Sequence, residues 1–132
     1  NKGLDQAVAE IGTLKERARK ISLDDKSGWT NQTLPWARQL QDMLVMAEVV
    51  TKCARLRDEC RGSHYKSEFE LKQPEGKFAG DPEYEAYKAT WKTNNEKWLK
   101  HSIATHTADG PKVEYWPVDV SVMAPETPRD YR

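Results

Sequence analysis

The 132-residue chain is poor in the features that usually mark a chemical site. It has no glycine-rich phosphate loop and no CxxC pair, and neither HExxH nor GxSxG occurs. Each of those motifs places donors or a nucleophile at a spacing that a mechanism requires, so the chemistries they serve have no motif in this chain. Cysteine is scarce: there are only Cys53 and Cys60. On one helix, seven residues apart, their Cα atoms would lie about 10 Å from each other, beyond disulfide reach. They read as reduced thiols, which suits a cytosolic setting. Net charge is absent too, with 21 Lys and Arg against 21 Asp and Glu. Such a balance builds no long-range field to gather nucleic acid or an anionic bilayer, and no nucleic-acid partner is expected. No apolar run approaches the roughly 18 residues of a membrane span, and the polar start lacks the apolar core of a signal peptide, so the chain is expected to be soluble. It opens on "NKGLDQAV" without an initiator Met, as a processed protein or a piece of something larger would.

What is present is enough for one domain with an aromatic core. The composition is 37% hydrophobic and 32% charged, with five Trp and five Tyr, unlike the low-aromatic, charge-imbalanced pattern of a disordered chain. Leu4, Ala7, Val8, Ile11, Leu14, Ala18 and Ile21 recur at three-and-four spacing and predict a helix over about 3–21. "SLDDKSGW" then reads as a loop. A second helix is predicted over about 33–61, with Asn31 or Thr33 as cap and Pro35 in the first turn, where a proline sacrifices only amides without helical partners. Its apolar stripe runs through Trp36, Leu40, Met43, Leu44, Ala47, Val50 and Ala54, with Thr51 as the polar exception, and Gly62 is the expected stop.

After a punctuated excursion from Lys66 to Gly80, Asp81 and Pro82 start a third predicted helix, over about 81–100. Tyr84, Tyr87, Trp91 and Trp98 stripe it, and such a stripe is far more often core than a base-stacking platform. Ile103, Val113 and Tyr115 are candidate strand residues around the turn dipeptide Asp109-Gly110, giving a hairpin and extended tail over 102–132. The expected fold is therefore mainly α: a three-helix, up-down-up bundle of spectrin-repeat type with a small C-terminal β-hairpin.

One cluster stands out. "RDECRGSHY", Arg57 to Tyr65, packs Arg57, Asp58, Glu59, Arg61 and His64 around Cys60 and Gly62. Cys60 and His64 could place two donors one turn apart, but a structural zinc needs four ligands, and no metal site is expected. A thiolate nucleophile would need a positioned base and a pocket, and neither is indicated. Arginines at a helix C-terminus are favoured by the helix dipole and usually form a solvated face. Held rigidly by a glycine stop, the same residues make a multi-donor corner suited to gripping carbonyls or carboxylates of another domain.

The residues also carry a resemblance. "RDECRGSHYKSEF" resembles the "ESRGAHYKPEFP" segment of the flavoprotein subunits of succinate dehydrogenase and fumarate reductase. "NQTLPWARQLQDMLVMAEVV" looks like their long helix, "NNEKWLKHSIAT" is similar to their "DEEWLKHTLA", and "DGPKVEYWPVDVSVMAPETPRDY" is similar to their closing segment. The likeness runs in order from Leu4 to Tyr131. L-aspartate oxidase shares the corner but generally lacks that closing segment. Cys60 stands where the family commonly has Ser, "APETPRDY" replaces more usual paired prolines, and residues Leu71 to Thr93 form an insertion relative to the shortest members.

The resemblance implies the non-catalytic, helical C-terminal domain, residues 1–132, of a longer FAD-dependent oxidoreductase that acts on the CH–CH bond of succinate or fumarate in electron transport and the tricarboxylic acid cycle. FAD and every catalytic residue would lie in upstream flavin-binding and capping domains, with no catalytic, cofactor or metal ligand here. The parent would be a peripheral subunit on the cytoplasmic face of a bacterial membrane, partnered by a membrane anchor subunit and an iron–sulfur subunit. Arg57, Glu59, Arg61, Gly62 and His64, with Arg129 and Tyr131, are the residues expected to dock on the parent's own domains. The competing readings are a C-terminal domain of L-aspartate oxidase, a stand-alone helical interaction module, and, least of all, a small thiol enzyme using Cys60.

Overall fold

Three helices and a hairpin follow one another along the chain in the computed structural model, which describes residues 1–125: α1 (Lys2–Ala18), α2 (Thr33–Leu56), α3 (Pro82–Trp98), β1 (Lys100–Thr105) and β2 (Lys112–Pro117). The mainly helical expectation with a small C-terminal hairpin is what is seen. The chain divides into two compact units, Asn1–Leu56 with Ala104–Val113, and Arg57–Ile103 with the described residues from Glu114 onward. Within the first unit α1 packs on α2, and α3 belongs to the second unit.

In the first unit, the covered face of α1 is Leu4, Ala7, Val8, Ile11, Lys15 and Ala18, the stripe that three-and-four spacing predicts apart from Lys15. Leu14 and Ile21, counted with that stripe, are exposed, and α1 stops at Ala18, three residues short of the expected 21. Two ion pairs fix the direction of packing. Arg55 Nε donates to Asp5 Oδ1 at 2.5 Å, and Lys15 Nζ to Glu48 Oε2 at 2.5 Å. Moving up α1 moves down α2, so the two helices are antiparallel. Asn31 caps α2, its Oδ1 accepting from the Thr33 and Leu34 amides at 3.1 Å each, which satisfies two donors that have no helical partner.

The stripe expected to be α2's core face is not its packed face. Of those residues only Leu44 is buried, whereas Trp36, Leu40, Met43 and Val50 are exposed. The side turned to α1 carries Leu44, Glu48 and Arg55. Apolar residues occupy more than half of this helix's circumference, and spacing alone does not say which sector meets a neighbour.

In the second unit, the covered face of α3 is Tyr84, Tyr87, Lys88, Trp91, Asn94, Asn95 and Trp98. Tyr84 and Tyr87 meet at a 54° tilt with ring centres 6.0 Å apart, and Trp98, 7% exposed, meets Tyr115 edge-on at 5.6 Å. Asp81 starts the helix, with Pro82 in its first turn, but its carboxylate makes no cap; Oδ2 turns back to accept from the Phe78 amide at 2.9 Å. The hairpin loop is closed by Thr107, whose Oγ1 donates to the Gly110 carbonyl at 2.6 Å, with Gly110 at φ 102°.

Candidate functional site

The Arg57–Tyr65 corner does not sit on a helix end. α2 stops at Leu56 rather than near 61, and the corner belongs to the second unit. Cys60 is therefore not on a helix with Cys53, and the helix-dipole reason for placing arginines there lapses. A tight turn replaces it: Arg61 and His64 exchange backbone hydrogen bonds at 2.9 and 3.0 Å across Gly62-Ser63. Gly62 adopts φ 57°, which glycine reaches without a Cβ penalty. It acts as a turn residue, not as a helix cap.

Glu59 is the centre of the corner, and its side chain is fully buried. Arg57 Nε donates to its Oε1 at 2.6 Å, and Arg57 Nη2 pairs with the same oxygen. Arg61 Nε reaches Oε1 at 3.0 Å and Oε2 at 3.1 Å, and its Nη2 reaches Oε2 at 2.9 Å. Asn94 Nδ2 adds a contact to Oε2 at 3.2 Å. A buried carboxylate is tolerated only when paired and fully hydrogen-bonded, and this one is.

The arginines are in turn held from outside the corner. Arg57 Nη1 donates to the Lys100 carbonyl at 2.8 Å and to Ser102 Oγ at 3.2 Å, its Nη2 bonds the Trp98 carbonyl, and its guanidinium lies 5.7 Å from the Trp98 ring centre. Arg61 Nη2 donates to Asn95 Oδ1 at 2.7 Å. Arg57, Glu59 and Arg61 thus tie the loop after α2 to α3 and β1. The resulting clasp is polar and specific in geometry, since the planar guanidinium fork presents several donors in fixed directions.

His64 and Cys60, the possible catalytic or metal pair, are engaged separately. His64 Nε2 lies 2.9 Å from the Arg57 carbonyl, and because a carbonyl only accepts, the proton must be on Nε2. The Cys60 thiol donates to the Lys66 carbonyl at 3.1 Å while its sulfur accepts from the Lys66 amide at 3.3 Å. Lys66, 6% exposed, closes the loop through Asp58 Oδ1 at 2.9 Å. Tyr65 points outward, and the neighbouring Glu70 carboxylate holds its phenol above the usual range. No group of three metal-ligating side chains occurs among the described residues. Arg129 and Tyr131 lie outside the described residues.

Glu59 has no exposed oxygen, the Cys60 thiol is engaged by Lys66, and the exposed residues of the corner are Arg61–Ser63 and Tyr65. A dinucleotide cradle would need a strand, a glycine-rich turn and a helix in that order, but both strands follow the last of the three helices. The first unit holds a separate open hollow of about 370 Å³, lined by Lys15, Leu44, Glu48, His106 and Pro111 among others. Its facing charges are already paired in part, Lys15 with Glu48.

Asn94, Asn95 and Ser102 were not among the expected site residues, because they lie more than 30 positions away in sequence. A signal did exist: Asn95 sits between Trp91 and Trp98 on an otherwise aromatic stripe, and a polar residue there must find a partner.

Fold and corner together define a helical module whose polar residues serve cohesion. Comparison with known proteins says which kind. Residues 1–131 match the family described as fumarate reductase flavoprotein C-term, and the chain belongs to that family. It is 36% identical over 124 residues to the succinate dehydrogenase flavoprotein subunit of Bacillus subtilis, covering 92% of this chain and 17% of that protein. The fumarate reductase flavoprotein subunit of Helicobacter pylori is 28% identical over 134 residues, 99% of this chain and 16% of its own length. That of Mycobacterium tuberculosis is 27% identical over 123 residues, 92% of this chain and 18% of its own length. The chain thus spans about a sixth of the curated relatives it matches. These names favour the succinate/fumarate branch over L-aspartate oxidase.

Proposed function

We propose that this chain is the C-terminal domain, residues 1–132, of a succinate dehydrogenase or fumarate reductase flavoprotein subunit. The observation that carries the reading is the family match across residues 1–131, joined to relatives of which it covers only about a sixth. In that parent, succinate loses two hydrogens to become fumarate as FAD becomes FADH2, or the reverse. FAD and the reacting groups reside upstream, and electrons leave through an iron–sulfur subunit held at the membrane by an anchor subunit. The flavoprotein itself is peripheral, on the cytoplasmic face; no helix among the described residues is long and apolar enough to cross a bilayer. The chain's own part is structural and supplies no catalytic residue.

Within this reading the corner docks on the flavin and capping domains through its exposed turn. Arg57, Glu59 and His64 hold that turn in shape, while Arg61 and Gly62 present it, with Arg129 and Tyr131 as further contacts. Exposure of Arg61 and Gly62 beside a saturated interior supports this. The test is purification of the whole native polypeptide, followed by flavin analysis and a succinate-dependent dye-reduction assay. Bound FAD with succinate or fumarate turnover is expected. A polypeptide with neither would sink the reading.

A further inference from the structure

We propose that the uncharged face of α2 is the main surface on which the upstream part of the same longer polypeptide packs. This rests on the reading of the chain as the C-terminal part of a flavoprotein subunit, and it places the larger contact elsewhere than the Arg57–Tyr65 corner.

The face is defined by what it lacks. The charged residues of α2 are Arg38, Asp42, Glu48, Lys52 and Arg55. With Leu44 taken as zero and about 100° of rotation per residue, they all fall between about 20° and 160°. Trp36, Leu40, Met43, Met46 and Val50 fall between about 200° and 320° on the same wheel. Half the cylinder is therefore free of charge, and it is open: Trp36 is 71% exposed, Met43 66%, Met46 64% and Val50 63%. Met43 and Leu44 are neighbours in sequence, yet Leu44 is only 9% exposed and lines a hollow with Lys15 and Ala18 of α1. A run of five large apolar residues along four turns of one helix is not scattered surface apolarity, and contiguous patches of this kind mark interaction sites.

The occupant follows from length and charge. The family description places the match at the C-terminus, and the Bacillus subtilis relative devotes only 17% of its length to it. Most of such a polypeptide precedes this segment, tethered to it and hence at high effective concentration, so even a modest apolar face is filled from within the chain first. A bilayer is the poorer fit. Membrane-surface helices flank their apolar face with Lys and Arg, whereas α2 carries three cations against two anions, all on the far side. Adaptable Met side chains beside a large aromatic ring suit a protein surface of irregular shape.

The experiment is oxidative footprinting of the native full-length polypeptide, with its mass measured first. Methionine oxidation follows exposure, so Met43 and Met46 should form sulfoxide at least about tenfold more slowly than in the urea-unfolded protein. Protection should survive dilution and should need neither lipid vesicles nor another subunit. Paired Met43→Glu and Val50→Glu substitutions should abolish protection of Met46, while Asp42→Lys on the charged side should not. Oxidation of both methionines near the unfolded rate overturns the proposal. So does protection that is lost on dilution, which means a second copy, or that appears only with vesicles or with the iron–sulfur subunit. A native mass no larger than this chain removes the flavoprotein reading itself, whereas a long polypeptide with freely oxidised methionines removes only the docking face.

Discussion

The corner after α2 and the outer face of α2 are adjacent in sequence and opposite in physical character. The corner is dense with charge, yet its central carboxylate is fully buried and every oxygen is occupied. The helix face is apolar, yet it stands in solvent. Sequence intuition assigns charge to binding surfaces and apolar stripes to cores, and here both assignments reverse. What decides burial is whether partners exist within the chain: two arginines and an asparagine supply them for Glu59, and nothing described supplies them for Met43.

Substitutions can break this contrast, beginning with the strongest effect. Glu59→Ala leaves the Arg57 guanidinium half-paired in a buried site, and should lower unfolding free energy by about 3–5 kcal/mol in urea denaturation; a loss under about 1 kcal/mol would mean the clasp is solvated. Next comes the pair of neighbours on α2. Leu44→Ala should cost about 2–4 kcal/mol through its cavity, whereas Met43→Ala in this chain alone should stay within about 0.5 kcal/mol. Equal costs would show that the two sides of α2 are not distinct. A smaller loss, about 1 kcal/mol, is expected for Gly62→Ala, since a Cβ is disfavoured at φ 57° although the space around it is open. The least effect belongs to Arg19→Ala, which removes an exposed pair with Glu16. Its cost should be about 0.3 kcal/mol and vanish in high salt.

Much of the fold was readable because its signals are local. Most of the α1 stripe, the Asn31 cap, the Pro82 start and the Asp109-Gly110 turn each depend on a few nearby residues, and each lies where the sequence put it. The end of α2 was misjudged because Gly62 is a good helix stop and an equally good turn residue. The true end at Leu56 is set by Arg57 and Glu59 leaving the helix to meet α3 and β1. The third helix lies where the sequence placed it, over Pro82–Trp98. For the site, composition singled out Arg57–Tyr65 as chemically dense, but no local pattern announces that Asn95 and Ser102 will bond its arginines. Family resemblance, not spacing, supplied the flavoprotein reading, and the family match bears it out.

The reach of Arg57 also sets an order of events in time. Its guanidinium bonds Ser102, 45 positions later, so on a ribosome adding roughly 5–20 residues per second the acceptors arrive seconds after the donor. Until then Glu59 and its arginines must remain in water. The clasp is thus a late closure, and a nascent chain halted before β1 would carry an open, hydrated corner that synthesis through Ser102 allows to shut.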